Sequence, residues 1–325
     1  MHRGRSRNKF ISIVVLMMAV IPNSTSGRAE QSAQRVLILG GGGPVGEAWE
    51  SGFLVALMDK GVDLSQADRI IGTSAGSIVG ARLGLHMSRA DFIKAALTPA
   101  DGSTPSEPAS KRSAAPRDLS FLLAKLAEMN RGKRPRQLIR AEIGAWGEKT
   151  PPVVSEAQFL VGYRRQFADK QWPATFECVT VDADDGAARI WNQSSGVPLA
   201  LGVASSCALP GVFPAIGVDG HHYIDGGVRS VANADLARGC TTAVILAPTA
   251  RLQDPMAKEF TAGLENEVNV VRTSGCEVEL VVPYVESIKA FGPSIGDENN
   301  RTPPFNAGLA QGQNLAAEIA RMWKD

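Results

Sequence analysis

Ile70-Ile71-Gly72-Thr73-Ser74-Ala75-Gly76-Ser77-Ile78-Val79-Gly80 is an apolar run that stops at a Gly-x-Ser-x-Gly pentapeptide and resumes as small residues able to form a helix. A serine at a tight strand-to-helix turn projects its hydroxyl clear of the backbone and leaves the next N–H free to bind a developing oxyanion. Ser74 therefore reads as a nucleophile, Ala75 as an oxyanion donor, and Gly72 and Gly76 as the residues that make room for the turn. The pentapeptide alone fits an ordinary Gly/Ser loop before a helix equally well.

Working outward toward the N-terminus, Val36-Leu37-Ile38-Leu39 reads as a buried strand running into Gly40-Gly41-Gly42-Gly43-Pro44-Val45-Gly46. Trp49, Phe53, Leu54, Leu57 and Met58 then recur at helical spacing up to a stop at Gly61. Strand, glycine loop, helix, strand, elbow, helix is the alternation of a parallel sheet covered on both faces, an α/β three-layer fold. Gly41, Gly43 and Gly46 satisfy G-x-G-x-x-G, but a dinucleotide site wants an acid at the end of the second strand, and Gly72-Thr73-Ser74 stands there. The other use of such a loop is to aim bare N–H groups at an anion, here the oxyanion of an acyl intermediate.

Toward the C-terminus, helices are expected over 119–126 and 159–167, and strands over 176–181, 188–191, 243–247 and 278–282. A closing helix is expected near 306–323. Residues 98–150 read as an insertion or lid: a Pro/Ser-rich loop, the apolar run Phe121-Leu122-Leu123 with Leu126, and the basic stretch Arg131-Gly132-Lys133-Arg134-Pro135-Arg136. Two readings of that segment stand side by side, a buried helix with a solvated turn and a surface that docks transiently on an anionic membrane.

The chain of 325 residues has a formal charge of +1, which gives no basic field for nucleic acid. Arg3, Arg5, Arg7 and Lys9 precede the apolar run Phe10 to Ile21 and a small, polar stretch, the pattern of a signal peptide over residues 1–29 and hence of export, with a membrane anchor as the alternative. Residues 30–325 are then read as one domain. Of the 4 cysteines, Cys240 and Cys276 each precede a predicted strand, so parallel neighbours would bring them together; four buried thiols are the alternative.

A serine nucleophile needs a base, and the histidines are only His2, His86, His221 and His222. None follows position 222, and His221-His222 read as a solvated hairpin tip. The acid that follows is more informative: Tyr223-Ile224-Asp225-Gly226-Gly227 places a carboxylate at the end of a short strand.

The elbow, the glycine loop, the segment Ala204-Ser205-Ser206-Cys207-Ala208-Leu209-Pro210-Gly211-Val212-Phe213-Pro214 and the Asp-Gly-Gly motif together resemble the patatin-like phospholipase family, over about Val36 to Val228. The resemblance implies a Ser74–Asp225 dyad without histidine, oxyanion donors at Gly41, Gly42, Gly43 and Ala75, a lipid or other acyl-ester substrate, and neither metal nor cofactor. One departure is Val45, where the family usually carries Arg or Lys. A dinucleotide-binding oxidoreductase and a non-catalytic lipid-binding relative are the competing functions. An aspartate of ordinary pKa near 3.9 is a feeble base for a hydroxyl, so burial must raise it or its work is to orient Ser74.

Overall fold

The computed structural model describes residue 1, residues 34–99 and residues 117–323; the leader read over 1–29 and most of the Pro/Ser-rich stretch lie outside the described residues. The chain runs β1 (Arg35–Leu39), α1 (Gly43–Asp59), β2 (Arg69–Thr73), α2 (Ala75–Gly84), α3 (Arg89–Leu97), α4 (Ser120–Asn130), α5 (Arg136–Lys149) and α6 (Glu156–Phe167). It continues through β3 (Phe176–Asp182), β4 (Ala188–Trp191), α7 (Leu199–Ser206), β5 (Ile216–Val218), β6 (His221–Asp225) and β7 (Thr242–Leu246). The last elements are α8 (Pro255–Thr261), α9 (Leu264–Thr273), β8 (Glu277–Val281), α10 (Val285–Phe291) and α11 (Thr302–Met322).

The strands form an 8-stranded sheet in the order β5-β6-β3-β2-β1-β7-β8, with β4 also on β3. Strands β3, β2, β1, β7 and β8 are parallel neighbours, whereas β4, β5 and β6 pair antiparallel. Alternation along β1 assigns the layers. Leu37 and Leu39 join a core with Trp49 and Phe53 of α1, Val79 of α2, Val203 of α7 and Ile319 of α11. Val36 and Ile38 face the other side and pack with Leu264, Val268 and Val271 of α9. Since successive strand side chains point to opposite faces, β1 is apolar from Val36 to Leu39 because both faces are covered. The three-layer α/β architecture expected from sequence is the one observed.

The register at β3 positions the site. β2 pairs with β3 up to Thr73↔Val179, and β6 pairs with it from Thr180↔Asp225 to Asp182↔Tyr223. β4 holds Cys178 to Val181 of β3. Its overlap with both partners puts β2 and β6 on the opposite edge of β3, end to end. β6 therefore runs back toward the tip of β2 and delivers Asp225 where β2 ends.

The region read as an insertion contains α5, which sequence reasoning did not find, between the two expected helices. Leu122 and Leu126 are buried against Ile139 and Ile143, and Arg134 is held by Glu128 and Glu142. The apolar run is thus a packed helix and the basic run a turn whose central arginine is already paired. Cys240 and Cys276 form a disulfide, with Cα atoms 5.3 Å apart, next to the paired strands β7 and β8. Cys178 and Cys207 are free and buried. No helix among the described residues is long and apolar enough to cross a membrane.

Candidate active site

Ser74 occupies the turn between β2 and α2 with φ 52° and ψ −121°. A non-glycine residue with positive φ is strained and persists only where its surroundings over-determine it. Those surroundings are specific: Ser206 Oγ accepts from Ser74 N at 3.0 Å, and Ser77 Oγ donates to Ser74 O at 2.6 Å. Of residues 70–80, Ser74 alone is half-buried and the others are buried. Gly76 is glycine because a Cβ there would stand 2.1 Å from Leu39 O, so α2 can start against the end of β1 only without a side chain. Gly72 is the penultimate residue of β2, as the elbow reading requires.

Ser74 Oγ donates to Asp225 Oδ2 at 2.7 Å, and the other carboxylate oxygen, Oδ1, accepts from Gly227 N at 2.7 Å. The main chain of Asp225 is pinned by its N–H to Ala208 O at 3.0 Å. The strand must leave the sheet at once, because β2 already occupies the edge of β3 ahead. Gly226 permits this exit, since a Cβ there would meet Val179 O at 2.2 Å. Asp225 is buried, and that burial pushes its pKa up to about 7, against the lowering effect of the bonds from Gly227 and Ser74.

The glycine loop lies beside the serine: a Cβ on Gly41 would be 3.4 Å from Ser74 Cβ. Its donors are not equivalent. Gly41 N donates to Val231 O at 2.7 Å. Gly41, expected to supply an oxyanion donor, therefore spends its N–H on holding the loop to the segment after β6. The N–H groups of Gly42, Gly43 and Ala75 have no acceptor among the described residues and keep their donor capacity. Gly46 sits in the first turn of α1 and donates to Gly42 O at 2.9 Å. Val45, in the position of the family's cation, is fully buried in the core. Gly40 N is shared between Leu246 O at 3.0 Å and Glu50 Oε1 at 2.9 Å; burial pushes the Glu50 carboxyl well up.

Two supporting residues were not singled out from sequence. Ser206, besides receiving Ser74 N, donates to Val179 O at 2.6 Å, so one hydroxyl ties the main chain of Ser74 to β3. Asn233, fully buried and in a left-handed conformation with φ 53°, donates through Nδ2 to Thr73 Oγ1 at 3.0 Å, Ser230 O at 2.7 Å and Gly226 O at 3.4 Å. It clamps the residue before Ser74 to the residue after Asp225. Ser206 lies within the segment that carries the family resemblance and was legible to that extent; Asn233 has no local signal.

His221 and His222 are exposed at the other end of β6 from Asp225, with His222 Nδ1 2.9 Å from Glu148 Oε1. Asp182, Asp184 and His221, and separately Glu148, Asp184 and His222, bring possible ligand atoms within 4.8 Å of one another. Both groups lie at that same far end of β6, away from the Ser74–Asp225 pair.

The fold and site define a class: a three-layer α/β protein with a serine at a strained elbow, an acid in hydrogen-bond contact with it and a glycine loop alongside. The profile of the Patatin-like phospholipase family matches residues 37–238. The chain belongs to this family and is a lipid ester hydrolase by class. The family assignment sets aside the dinucleotide reading. Among solved structures, VipD from Legionella pneumophila matches with 12% identity and a TM-score of 0.45, covering 88% of this chain and 67% of its own. ExoU, a type III effector protein, matches with 15% identity and a TM-score of 0.39, covering 90% of this chain and 54% of its own. A structure of full-length SpcU in complex with full-length ExoU from the type III secretion system of Pseudomonas aeruginosa gives 15% identity, a TM-score of 0.38, and coverage of 90% and 53%. The chain thus spans a little over half the length of the ExoU chains. No curated protein sequence matches it.

Proposed function

We propose that the protein cleaves carboxylic ester bonds of lipids, in the manner of a phospholipase A, lipase or esterase, through a Ser74–Asp225 dyad and an acyl-enzyme. The observation that carries this reading is the 2.7 Å hydrogen bond from Ser74 Oγ to Asp225 Oδ2. Ser74 Oγ attacks the ester carbonyl as its proton passes to Asp225, and the carbonyl electrons move onto the oxygen. Gly42, Gly43 and Ala75 supply the N–H groups for that oxyanion. Collapse of the tetrahedral intermediate expels the alkoxide, which takes the proton from Asp225. Water then attacks the acyl-serine, giving its proton to Asp225, and the acid leaves as Ser74 recovers its hydrogen. A carboxyl group with a pKa of about 7 is matched to both halves of this cycle near neutral pH, because it gains and loses the proton at similar cost.

A lipid-hydrolysis panel combined with fluorophosphonate labelling tests the assignment. Ser74→Ala should lose labelling, and ester turnover should fall by about 10⁴-fold or more with unchanged unfolding behaviour. Wild-type labelling in that variant, or binding of lipid by the wild-type protein with no turnover of any ester, would defeat it. We also propose export through the leader over 1–29; the Cys240–Cys276 disulfide supports an oxidising destination. Mass spectrometry of the native protein should find its N-terminus near residue 30, and an intact Met1 in a wholly cytoplasmic pool would exclude export.

A further inference from the structure

A groove of about 400 Å³ lies outside the dyad, lined among others by Arg136, Arg140, Arg229, Asp235, Asn266 and Glu267. Its charges are not balanced pair by pair. Arg229 binds Asp235 through two nitrogens, at 2.9 and 2.6 Å, so those two charges neutralise each other. Glu267 accepts through Oε2 alone, from Ser230 Oγ at 2.7 Å and Ala234 N at 3.0 Å; it stays a lining carboxylate, and burial pushes its pKa up. Arg140 gives Nε to the main-chain oxygen of Gly186 at 2.6 Å, which leaves both terminal nitrogens without a partner among the described residues. Arg136 has no carboxylate partner among the described residues. Burial, then Arg229 and Arg136, hold the Arg140 pKa below the usual arginine range, while Asp185, which acts on Arg140 from a distance, is bonded to Arg189.

Like charges gathered around a concavity, with donors to spare, oppose folding unless an anion occupies the space between them. The geometry points to a binding site for a phosphate-bearing anion of two or more charges, held by Arg136 and Arg140 with Arg229 behind them. Guanidinium forks fit phosphate oxygens in bidentate fashion and stay charged when partly desolvated. The volume falls within the range of small-ligand pockets and exceeds what a bare phosphate fills, so the group is attached to a larger body. Such a body is either a lipid whose headgroup is a phosphate monoester or a free phosphorylated molecule. Arg229 also donates to Asn233 Oδ1 at 2.6 Å, and its N–H to Gly226 O at 3.0 Å, which puts the site one hydrogen bond from the clamp on the dyad.

Binding is read by calorimetry, independently of hydrolysis, on the full mature chain with inorganic pyrophosphate at constant ionic strength. Saturable one-to-one binding is expected, weakened by about tenfold or more in Arg136→Gln/Arg140→Gln. Arg131→Gln/Lys133→Gln removes the same charge outside the groove and should leave the affinity unchanged. Arg140→Lys, which keeps a charge, should retain part of the binding and controls for folding. Co-sedimentation with phosphatidylcholine vesicles, with and without phosphatidate, separates the sources. Phosphatidate-dependent sedimentation that pyrophosphate reverses assigns the lipid headgroup, and pyrophosphate binding without it assigns a free anion. No saturable pyrophosphate binding by the wild type, undiminished binding by Arg136→Gln/Arg140→Gln, or an equal loss in Arg131→Gln/Lys133→Gln would overturn the site.

Discussion

Asp225, at the end of β6, and Glu47, in α1, are both almost completely buried carboxylates, and they are driven in opposite directions. Burial alone raises the pKa of each. For Asp225 two hydrogen bonds are all that opposes it among the described residues, and the pKa reaches about 7. Burial of Glu47 is overcome by Arg301 and Arg82, whose guanidinium nitrogens lie 3.1 and 2.7 Å from its oxygens, and the group is held below the ordinary carboxylate value. Depth does not decide which way a buried acid's pKa moves; the presence of a cation does. The two arginines favour the ionised form of Glu47, whereas Glu50, one turn further along α1 and without such a partner among the described residues, is pushed up. The end of β6 leaves its acid without a cation among the described residues, the condition that the proposed proton exchange with Ser74 requires.

The largest effect that separates the two regions is on turnover. Asp225→Asn keeps an acceptor for Gly227 N and a group beside Ser74 Oγ but cannot take the proton, so kcat on a soluble ester should fall by about 10³- to 10⁴-fold. His221→Ala and His222→Ala should change kcat little. A histidine variant as impaired as Asp225→Asn, with its fold preserved, would break the dyad reading.

Glu47→Gln should do the reverse. It strips the shared partner from Arg82 and Arg301, and breaking a buried pair in this way costs about 3–5 kcal/mol. Denaturant unfolding should show that loss, while kcat below the transition should match wild type. Loss of activity without loss of stability would mean that the ion cluster belongs to the site.

A smaller effect sharpens the comparison through pH. Because the folded pKa of Asp225 lies above its unfolded value, the folded state binds more protons between about pH 4 and 7. Stability from this group is fully present below pH 4 and is lost as pH rises through 7. Asp225→Asn has no charge to bury, so relative to wild type it should gain roughly 4 kcal/mol at pH 8 and little at pH 4. Urea unfolding of both proteins at the two pH values measures the difference; an equal gap at each would show that Asp225 is not the group that titrates.

The helices α4 and α6, the strands β1 to β4 and the closing α11 are legible because each carries its own apolar periodicity. The Ser74 elbow is legible for the same local reason, since the glycines that permit it are neighbours in sequence. α5 was missed because its buried residues, Ile139, Ile143 and Gly144, are few among charged ones. The Val231 acceptor of Gly41 N is not legible because a glycine loop announces N–H groups but not which of them another segment engages. Val231, its acceptor, is a distant residue with no sequence mark.

By itself the sequence determined the alternation of strand and helix, the serine at the turn and the acid ahead of two glycines, all properties of contiguous residues governed by short-range sterics and side-chain periodicity. Only the tertiary structure decided that β6 runs back along β3 to set Asp225 2.7 Å from Ser74, that Asn233 clamps the two, and that Glu47 meets two arginines whereas Asp225 meets none among the described residues. Those outcomes depend on strand register and on desolvation, which arise when segments far apart in the chain exclude water from one another, and no local stretch of residues encodes them.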